Sequence, residues 1–285
     1  MLARCLERID FCHRHDPRAF VAWSIDGVDV GRVHRDRVDE LLAAPSPFAR
    51  LGERLVLATA GGVAARSAAL AEWVARAAVA GRVRRPTGEL FPVSERPWST
   101  PLAAVDRAAV AWLGVAAQGV HLNGFVRHGA QRSLWVARRS RDKATFPGHL
   151  DNLVAGGQSL GMTPQQTLVK ECQEEASLPP DLAGHAVAVG SIAYLQQDGL
   201  GSKADTLWLF DLELPPEFVP RPTDGEVEAF ELWPCARVVA SLAGDAMWKP
   251  NCALVVLDFL LRHGELDAAL APAERWQLWQ ALHCG

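Results

Sequence analysis

Three glutamates stand close together in the middle of the chain, at Glu171, Glu174 and Glu175. A helix over residues 164–176, with Thr163 as its N-cap, would place all three carboxylates on one face. Like charges at this spacing repel each other, and a bound cation would relieve the repulsion. Because carboxylates offer only oxygen ligands, the cluster predicts a site for Mg²⁺, with Mn²⁺ as the alternative.

The other interpretation of these glutamates is a solvent-exposed acidic helix face. Lys170 is the only basic residue on the predicted helix, so the carboxylates have few partners of opposite charge within it. The pair Gly156-Gly157 precedes the helix, where a tight turn would bring the backbone close to a ligand. The residue types alone therefore favour a metal site.

The elements that must position this segment fall into two predicted domains, residues 1–114 and residues 115–285. The first has a hairpin signal at Asp26-Gly27, which indicates mixed α and β structure. Its helices are predicted over residues 35–44, 67–81 and about 103–114. The basic segments at 31–37 and 81–88 are interpreted as solvated loops.

In the second predicted domain, segments with a strand pattern lie on both sides of the glutamate segment. Alternating, β-branched and aromatic residues predict strands over 115–127, 133–140, 186–197, 205–214 and 225–234. Apolar residues at helical spacing predict two final helices, over 251–264 and 272–283.

Composition narrows the class of protein. The chain has 285 residues and a formal net charge of −4, which gives no overall basic surface for nucleic acid. No apolar run is long enough to span a membrane, and the first residues do not resemble a secretory signal. Six scattered cysteines, without a paired zinc spacing, predict reduced thiols and a cytoplasmic protein. A homodimer is compatible with the sequence.

The segment from Gly156 to Leu178 resembles the Nudix box, G-x5-E-x7-R-E-U-x-E-E-x-G-U, in which U is aliphatic. With Gly156 as the first glycine, Glu171, Glu174 and Glu175 fall on the three metal-binding glutamates. Cys172 and Leu178 take the aliphatic positions. The sequence departs from the pattern at three places, which are Met162 for Glu, Lys170 for Arg and Ser177 for Gly.

The resemblance implies an α/β/α sandwich with a mixed sheet, preceded here by a smaller α+β domain. It also implies a Mg²⁺-dependent, MutT-like diphosphatase that neutralises phosphate oxygens and positions a water. Glu174 and Glu175 are then catalytic, Glu171 binds metal with them, and the Gly156 carbonyl is a further ligand.

Nudix enzymes often take another carboxylate from a downstream loop. Glu226 and Glu228 share a strand face in the predicted strand, and Glu226 follows the Asp224-Gly225 turn. Glu226 is the candidate for an extra metal ligand or general base. The alternative is a polar pair on an edge strand. Lys170, Gly157 and Glu228 are the candidates for substrate contacts.

A narrower resemblance involves "FPGHLDNLVAGG", "LVKECQEEASL", "DGEVEAFEL" and "KPNCALVVLDFLLRHG". These segments are similar to Nudix proteins related to the hydrolase-like part of fungal thiamine pyrophosphokinase. The resemblance implies a small-molecule diphosphate substrate, thiamine diphosphate or its oxidised analogues, with the first domain contributing to the pocket. Phe91, Trp98, Tyr194 and Trp208 are candidates for an aromatic wall. The alternatives are a nucleoside diphosphate derivative as substrate, or a Nudix-fold sensor that binds a ligand without cleaving it.

Overall fold

The computed structural model describes residues 1–223 and 225–284. The elements of its first part are α1 (Leu2–Cys12), β1 (Phe20–Ile25), β2 (Val28–His34), α2 (Val38–Leu42), β3 (Phe48–Leu51), β4 (Arg54–Leu57), α3 (Val63–Val79), β5 (Leu90–Val93), β6 (Ala103–Asp106) and α4 (Val110–Leu113). Strands β1 to β4 form a sheet in the order β2-β1-β4-β3, and β5 and β6 form a separate hairpin. Residues 20–115 around this sheet are called the N-terminal unit below.

The second part carries the larger sheet and most of the helices that cover it. Its elements are β7 (Ala117–His128), β8 (Gln131–Arg139), β9 (Leu150–Asp151), β10 (Val154–Gly157), α5 (Pro164–Ala176), α6 (Pro180–Ala183), β11 (Val187–Asp198), β12 (Gly201–Glu213), β13 (Val227–Pro234), α7 (Cys235–Ala243), α8 (Pro250–Arg262) and α9 (Pro272–His283). The strands predicted in this part are therefore present, with shifted ends.

The larger sheet is mixed. Its main order is β11-β12-β7-β8-β13, while β10 also pairs with β7 and β9 with β8. Strands β7 and β12 run parallel, and the other pairs are antiparallel. The mixed sheet predicted from the sequence is confirmed.

Helices cover both faces of this sheet because alternate residues of a strand point to opposite sides. In β12, Phe210 and Leu212 belong to the core under α5, whereas Leu207 and Leu209 belong to the core under α8. The result is the predicted α/β/α sandwich, with a smaller α+β unit before it.

Helix α5 begins and ends at the predicted residues. Thr163 Oγ1 accepts from the Gln166 amide at 3.2 Å, and Gln166 Oε1 accepts from the Thr163 amide at 2.9 Å. This capping box satisfies two backbone donors that a helix start leaves open. At the other end, Ser177 adopts a left-handed conformation with φ 53°, and its hydroxyl donates to the Arg221 carbonyl at 3.1 Å.

Helix α1 does not share a core with the sheet of β1 to β4, which follows it in the sequence. Cys5, Ile9 and Cys12 are buried in the same core cluster as α8 and α9. The first helix thus belongs by packing to the second part of the chain, across the boundary predicted at residue 114.

The predicted helix over residues 103–114 is wrong in its first half. Ala103, Ala104, Val105 and Asp106 are all buried and form β6, which pairs with β5. Helix propensity is a weak preference, and burial on both faces of an extended segment outweighs it here. Similarly, residues 31–34 lie in β2 rather than in a loop. None of the described helices is long and apolar enough to cross a membrane.

Candidate active site

A cleft of about 530 Å³ is lined by residues of both parts of the chain. The N-terminal unit contributes Arg84, Phe91 and Arg107, among others. The larger sheet contributes strands β7, β10 and β12, including Gly156 and Gly157. The glycine pair that precedes the glutamate helix therefore forms part of the cleft wall.

Glu171 approaches the cleft wall through Gly156. A Cβ added to Gly156 would lie 2.2 Å from both Cγ and Cδ of Glu171, so only glycine leaves room for this side chain. Burial raises the pKa of Glu171, and its hydrogen bond with Lys170 only partly offsets that effect. The structure thus brings together two residues predicted for the metal site.

Glu175 lies one turn further along and is buried, with 8% of its surface exposed. Its Oε2 accepts a hydrogen bond from the Ala155 amide at 2.9 Å. Burial raises the pKa of Glu175 to about 8, although the Ala155 amide favours the charged form. The charge of Lys249 also favours the carboxylate, but it is too weak to offset burial.

Glu174 is half-exposed and faces Lys170. The Lys170 ammonium lies 2.5 Å from a Glu174 oxygen and 3.0 Å from a Glu171 oxygen. Burial would lower the pKa of Lys170, but these two carboxylates outweigh it and raise the pKa. Lys170 thus acts as an internal cation between two of the three glutamates.

These side chains fit a magnesium ion in their chemistry. The three glutamates offer only oxygen ligands, and a bound cation would favour the charged form of the buried Glu175 more strongly than Lys249 does. With Lys170 between Glu171 and Glu174, however, no group of three His, Cys, Asp or Glu side chains in the described residues is arranged to hold a metal. Binding by all three carboxylates would require the Lys170 side chain to turn away.

The downstream glutamates have different surroundings. Glu226 lines the cleft, and its carboxylate lies 2.5 Å from the Lys143 ammonium. Glu228 pairs with Arg141 at 3.6 Å and is absent from the described cleft lining. The Asp224 half of the predicted turn lies outside the described residues. The two glutamates flank the buried Val227 at the start of β13, where the ladder to β8 has a bulge.

The aromatic candidates divide into two groups. Phe91 and Tyr194 line the cleft, and the Phe91 ring lies so close to Gly157 that a Cβ there would be 2.8 Å from it. Trp208 donates to Gln118 at 2.8 Å and is not among the lining residues, while Trp98 is 71% exposed. Gly157 is thus a packing position for the N-terminal unit as well as part of the cleft.

A buried polar network behind the cleft was missed by sequence reasoning. Asp151 accepts from Arg139 at 2.7 Å and from the Cys252 thiol at 2.6 Å, and Lys249 lies 3.4 Å away. Burial alone would raise the pKa of Asp151, but Lys249 and Arg139 lower it to about 2. The sequence signal for this network lay in the segment "FPGHLDN", which contains Asp151, and in "KPNC", which contains Lys249 and Cys252.

Arg139 uses its remaining donors to fix the loop that borders the cleft. Its guanidinium donates to the carbonyl oxygens of Thr145 and Phe146 at 3.1 to 3.4 Å. Both of those residues line the cleft. The network therefore supports the cleft wall from behind.

Two cleft arginines were also missed. Arg84 lies in the segment at 81–88 that was interpreted as a solvated loop, and Arg107 lies in the segment predicted as helix. For Arg84, the run of basic residues around it is the sequence feature that could have indicated a place in the cleft.

Family comparisons agree with the architecture. Residues 2–117 match a domain of unknown function, DUF4743, and residues 119–252 match the NUDIX domain. Residues 119–252 are called the Nudix domain below, after the family model that they match. The Nudix domain contains the glutamate helix, the larger sheet and the first residues of α8.

Relatives of this Nudix domain occur in plants. Nudix hydrolase 20, chloroplastic, of Arabidopsis thaliana is 45% identical over 176 residues, which are 62% of this chain and 47% of that protein. Nudix hydrolase 24, chloroplastic, of the same organism is 42% identical over 176 residues, which are 62% and 48% of the two chains. The chain spans about half the length of the curated relatives it matches. A crystal structure from Deinococcus radiodurans is 23% identical with a TM-score of 0.43, and covers 59% of this chain and 96% of that one.

Proposed function

We propose that this protein is a metal-dependent diphosphatase that cleaves thiamine diphosphate or its oxidised analogues to the monophosphate and phosphate. The observation that carries the hydrolytic part is the contact between the Glu171 carboxylate and Gly156 at the cleft wall. The Nudix domain match supports the same chemistry.

Hydrolysis of a diphosphate depends mainly on charge neutralisation and on a correctly placed water. Glu171, Glu174 and Glu175 would hold Mg²⁺, or Mn²⁺, with the Gly156 carbonyl as an additional ligand. When bound, the metal supplies positive charge to the phosphate oxygens and favours ionisation of a water. Lys170 keeps Glu171 and Glu174 oriented in the absence of the ion.

Glu226 is the proposed additional ligand or base, because it lines the same cleft. Lys143 and Arg107 favour its charged form, and although burial alone would raise the pKa of Glu226, these neighbours lower it. A carboxylate whose pKa is lowered is a weaker base, so these surroundings suit metal binding better than proton removal.

The substrate assignment rests on the narrower resemblance together with the cleft. The volume of about 530 Å³ suits a small organic diphosphate. Phe91 and Tyr194 are largely buried in the cleft wall, where the exposed part of each ring gives an apolar contact for a heteroaromatic ring. The N-terminal unit provides part of this surface, which supports its proposed role as a contributor to the substrate pocket.

A substrate panel tests the proposal. Phosphate release should be measured in Mg²⁺ with thiamine diphosphate, its oxo and oxy analogues, and several nucleotide sugars. We expect the highest kcat/KM for an oxidised thiamine diphosphate analogue. A preference for a nucleotide sugar would overturn the thiamine assignment, and tight binding of every compound without turnover would indicate a sensor.

A further inference from the structure

We propose that Arg107, which comes from the N-terminal unit, binds the diphosphate group of the substrate in the cleft whose wall, at Gly156, contacts the glutamate helix. The inference rests on the diphosphatase function proposed above and assigns that function a phosphate-binding residue outside the Nudix domain. It makes the N-terminal unit part of the phosphate site as well as a wall for the organic group.

Arg107 is held at a defined place by Glu89. Its Nη1 donates to Glu89 Oε2 at 2.8 Å, and its backbone amide donates to the Glu89 carbonyl at 2.9 Å. The other Glu89 oxygen accepts from the Ser159 hydroxyl at 2.8 Å. Ser159 lies in the loop between β10 and α5, so Glu89 connects the arginine to the segment that leads into the glutamate helix.

A backbone contact strengthens the same connection. The Leu160 amide donates to the carbonyl of Leu90, the residue that follows Glu89, at 2.7 Å. The loop before α5 and the first strand of the β5–β6 hairpin are therefore joined by main chain and side chain together. This fixes the position of Arg107 relative to Glu171.

The guanidinium remains available to a ligand. Its side chain is 54% exposed and lines the cleft. Among the described residues, one of its five N–H groups makes a side-chain hydrogen bond, so donors remain for a phosphate. Burial alone would lower the pKa of Arg107, but Glu89, Glu226 and Glu171 outweigh it and raise the pKa. Arg107 thus lies in the same cleft as Glu226.

The charges around the cleft favour such a residue. Glu226 lines the cleft and Glu171 lies against its wall at Gly156, and both carboxylates would repel an anionic diphosphate. The lysines of the cleft and Arg139 pair with carboxylates, which are Asp151 for Arg139 and Lys249, Glu226 for Lys143, and Asp198 for Lys203. Arg84 donates to the Ala144 carbonyl at 3.5 Å. Arg107 differs from Arg84 because Glu89 joins it to the loop before α5. A guanidinium can donate two parallel hydrogen bonds to a phosphate, a geometry that an ammonium cannot match.

The alternative is a purely structural role, in which Arg107 only joins the two parts of the chain through Glu89. Such a residue would affect stability and leave anion binding unchanged. The two roles therefore separate in a binding measurement that does not depend on turnover.

The experiment measures the binding of inorganic diphosphate to the full-length protein by calorimetry, without metal and then with Mg²⁺. Arg107→Gln removes the charge, Arg107→Lys keeps it, and Arg54→Gln serves as the matched control. Arg54 also pairs with a carboxylate, Asp29, at 3.3 Å and is 60% exposed, but it lies outside the cleft lining. Thermal unfolding of each variant checks that it is folded.

We expect Arg107→Gln to weaken diphosphate binding about tenfold or more, because a charge-assisted bidentate contact is lost. Arg107→Lys should fall between this variant and the wild type, and Arg54→Gln should match the wild type. Equal affinity of Arg107→Gln and the wild type would overturn the inference. If Arg107→Gln does not fold, Arg107→Lys binding with wild-type affinity overturns it instead.

Kinetics with the preferred substrate separates this inference from the proposed function. Arg107→Gln should raise KM more than it lowers kcat, since the contact forms in the bound ground state. Turnover by the wild type with unchanged KM in the variant would refute the role of Arg107 alone. Diphosphate binding through Arg107 without hydrolysis of any substrate would refute the proposed function alone.

Discussion

The Glu171 side chain lies directly against Gly156, with Cγ and Cδ both 2.2 Å from the place that a Cβ would take. The glycine is thus required by the position of a carboxylate rather than by its own backbone angle. Because Glu171 lies between Gly156 and Lys170, any side chain at residue 156 must displace it.

Gly156→Ala should therefore impair hydrolysis without unfolding the protein. A displacement of the carboxylate by about 1 Å can cost about a hundredfold in rate. The measurement is kcat/KM in Mg²⁺, with circular dichroism as the check on folding. Gly62→Ala is the control, because nothing lies within 4 Å of its added Cβ. Unchanged activity in Gly156→Ala would argue against a catalytic position for Glu171.

The two later glutamates lead to a second prediction. Glu174→Gln and Glu175→Gln should each lower kcat by about a hundredfold or more, since a lost charge weakens metal binding. Glu175→Gln should keep or raise the melting temperature in metal-free buffer, because a neutral amide is cheaper to bury than a carboxylate. Glu213→Gln, whose exposed carboxylate pairs with Arg127 at 3.1 Å, is the control. Near wild-type activity of both variants would contradict the metal assignment.

Helix α1 should contribute to the stability of the Nudix domain although it precedes the N-terminal unit. Ile9 is 2% exposed within the core of α8 and α9, so Ile9→Ala should destabilise the protein by about 2–5 kcal/mol. Urea unfolding followed by tryptophan fluorescence gives the free energy. Val79→Ala, at a residue that is 94% exposed, should change it by less than about 0.5 kcal/mol. A loss below about 1 kcal/mol for Ile9→Ala would be inconsistent with this packing.

The same packing bears on truncated chains. A chain beginning at residue 115 would lack α1 and would expose the apolar surface of α8 and α9. Loss of substrate affinity in such a chain could therefore come from the missing N-terminal unit or from the missing α1. Point substitutions such as Arg107→Gln test the contribution of the N-terminal unit without this ambiguity.

The Asp151 network predicts a response to acid. Its folded pKa of about 2 lies below the ordinary value of 3.8, so its stabilisation is full above pH 3.8 and is lost as the pH falls towards 2. The shift corresponds to about 2 kcal/mol. Urea unfolding between pH 4 and pH 2 should show this loss in the wild type but not in Asp151→Asn.

At pH 7, Asp151→Asn should itself destabilise the protein by about 3–5 kcal/mol, because Arg139 and Lys249 lose their buried partner. Asp29→Asn, which breaks the exposed pair with Arg54, should cost less than about 1 kcal/mol. Equal effects of the two substitutions would show that the Asp151 network contributes little.

What the sequence predicted well was local. Both ends of α5 were predicted correctly, because Thr163, Pro164 and the spacing of apolar residues all act within a few positions. The β1–β2 hairpin was found for the same reason, since Asp26-Gly27 defines its turn.

What it could not predict depends on distant partners. Strand β6 exists because β5 pairs with it, and alanine content alone favours a helix there. Asp151 and Cys252 are 101 positions apart, and Arg107 is joined to the loop before α5 through the hydrogen bond between Glu89 and Ser159. Each of these residues is unremarkable until the tertiary fold supplies its neighbour.

The packing of α1 against α8 and α9 sets an order for folding during synthesis. The apolar face that carries Cys5, Ile9 and Cys12 leaves the ribosome before α8 and α9, which follow about 240 residues later. Residues 20–115 can form their own core before α8 and α9 are synthesised, whereas the apolar face of α1 has no α8 or α9 to pack against during that time. Helix α1 therefore stays exposed to chaperones and to aggregation until α8 and α9 have been synthesised.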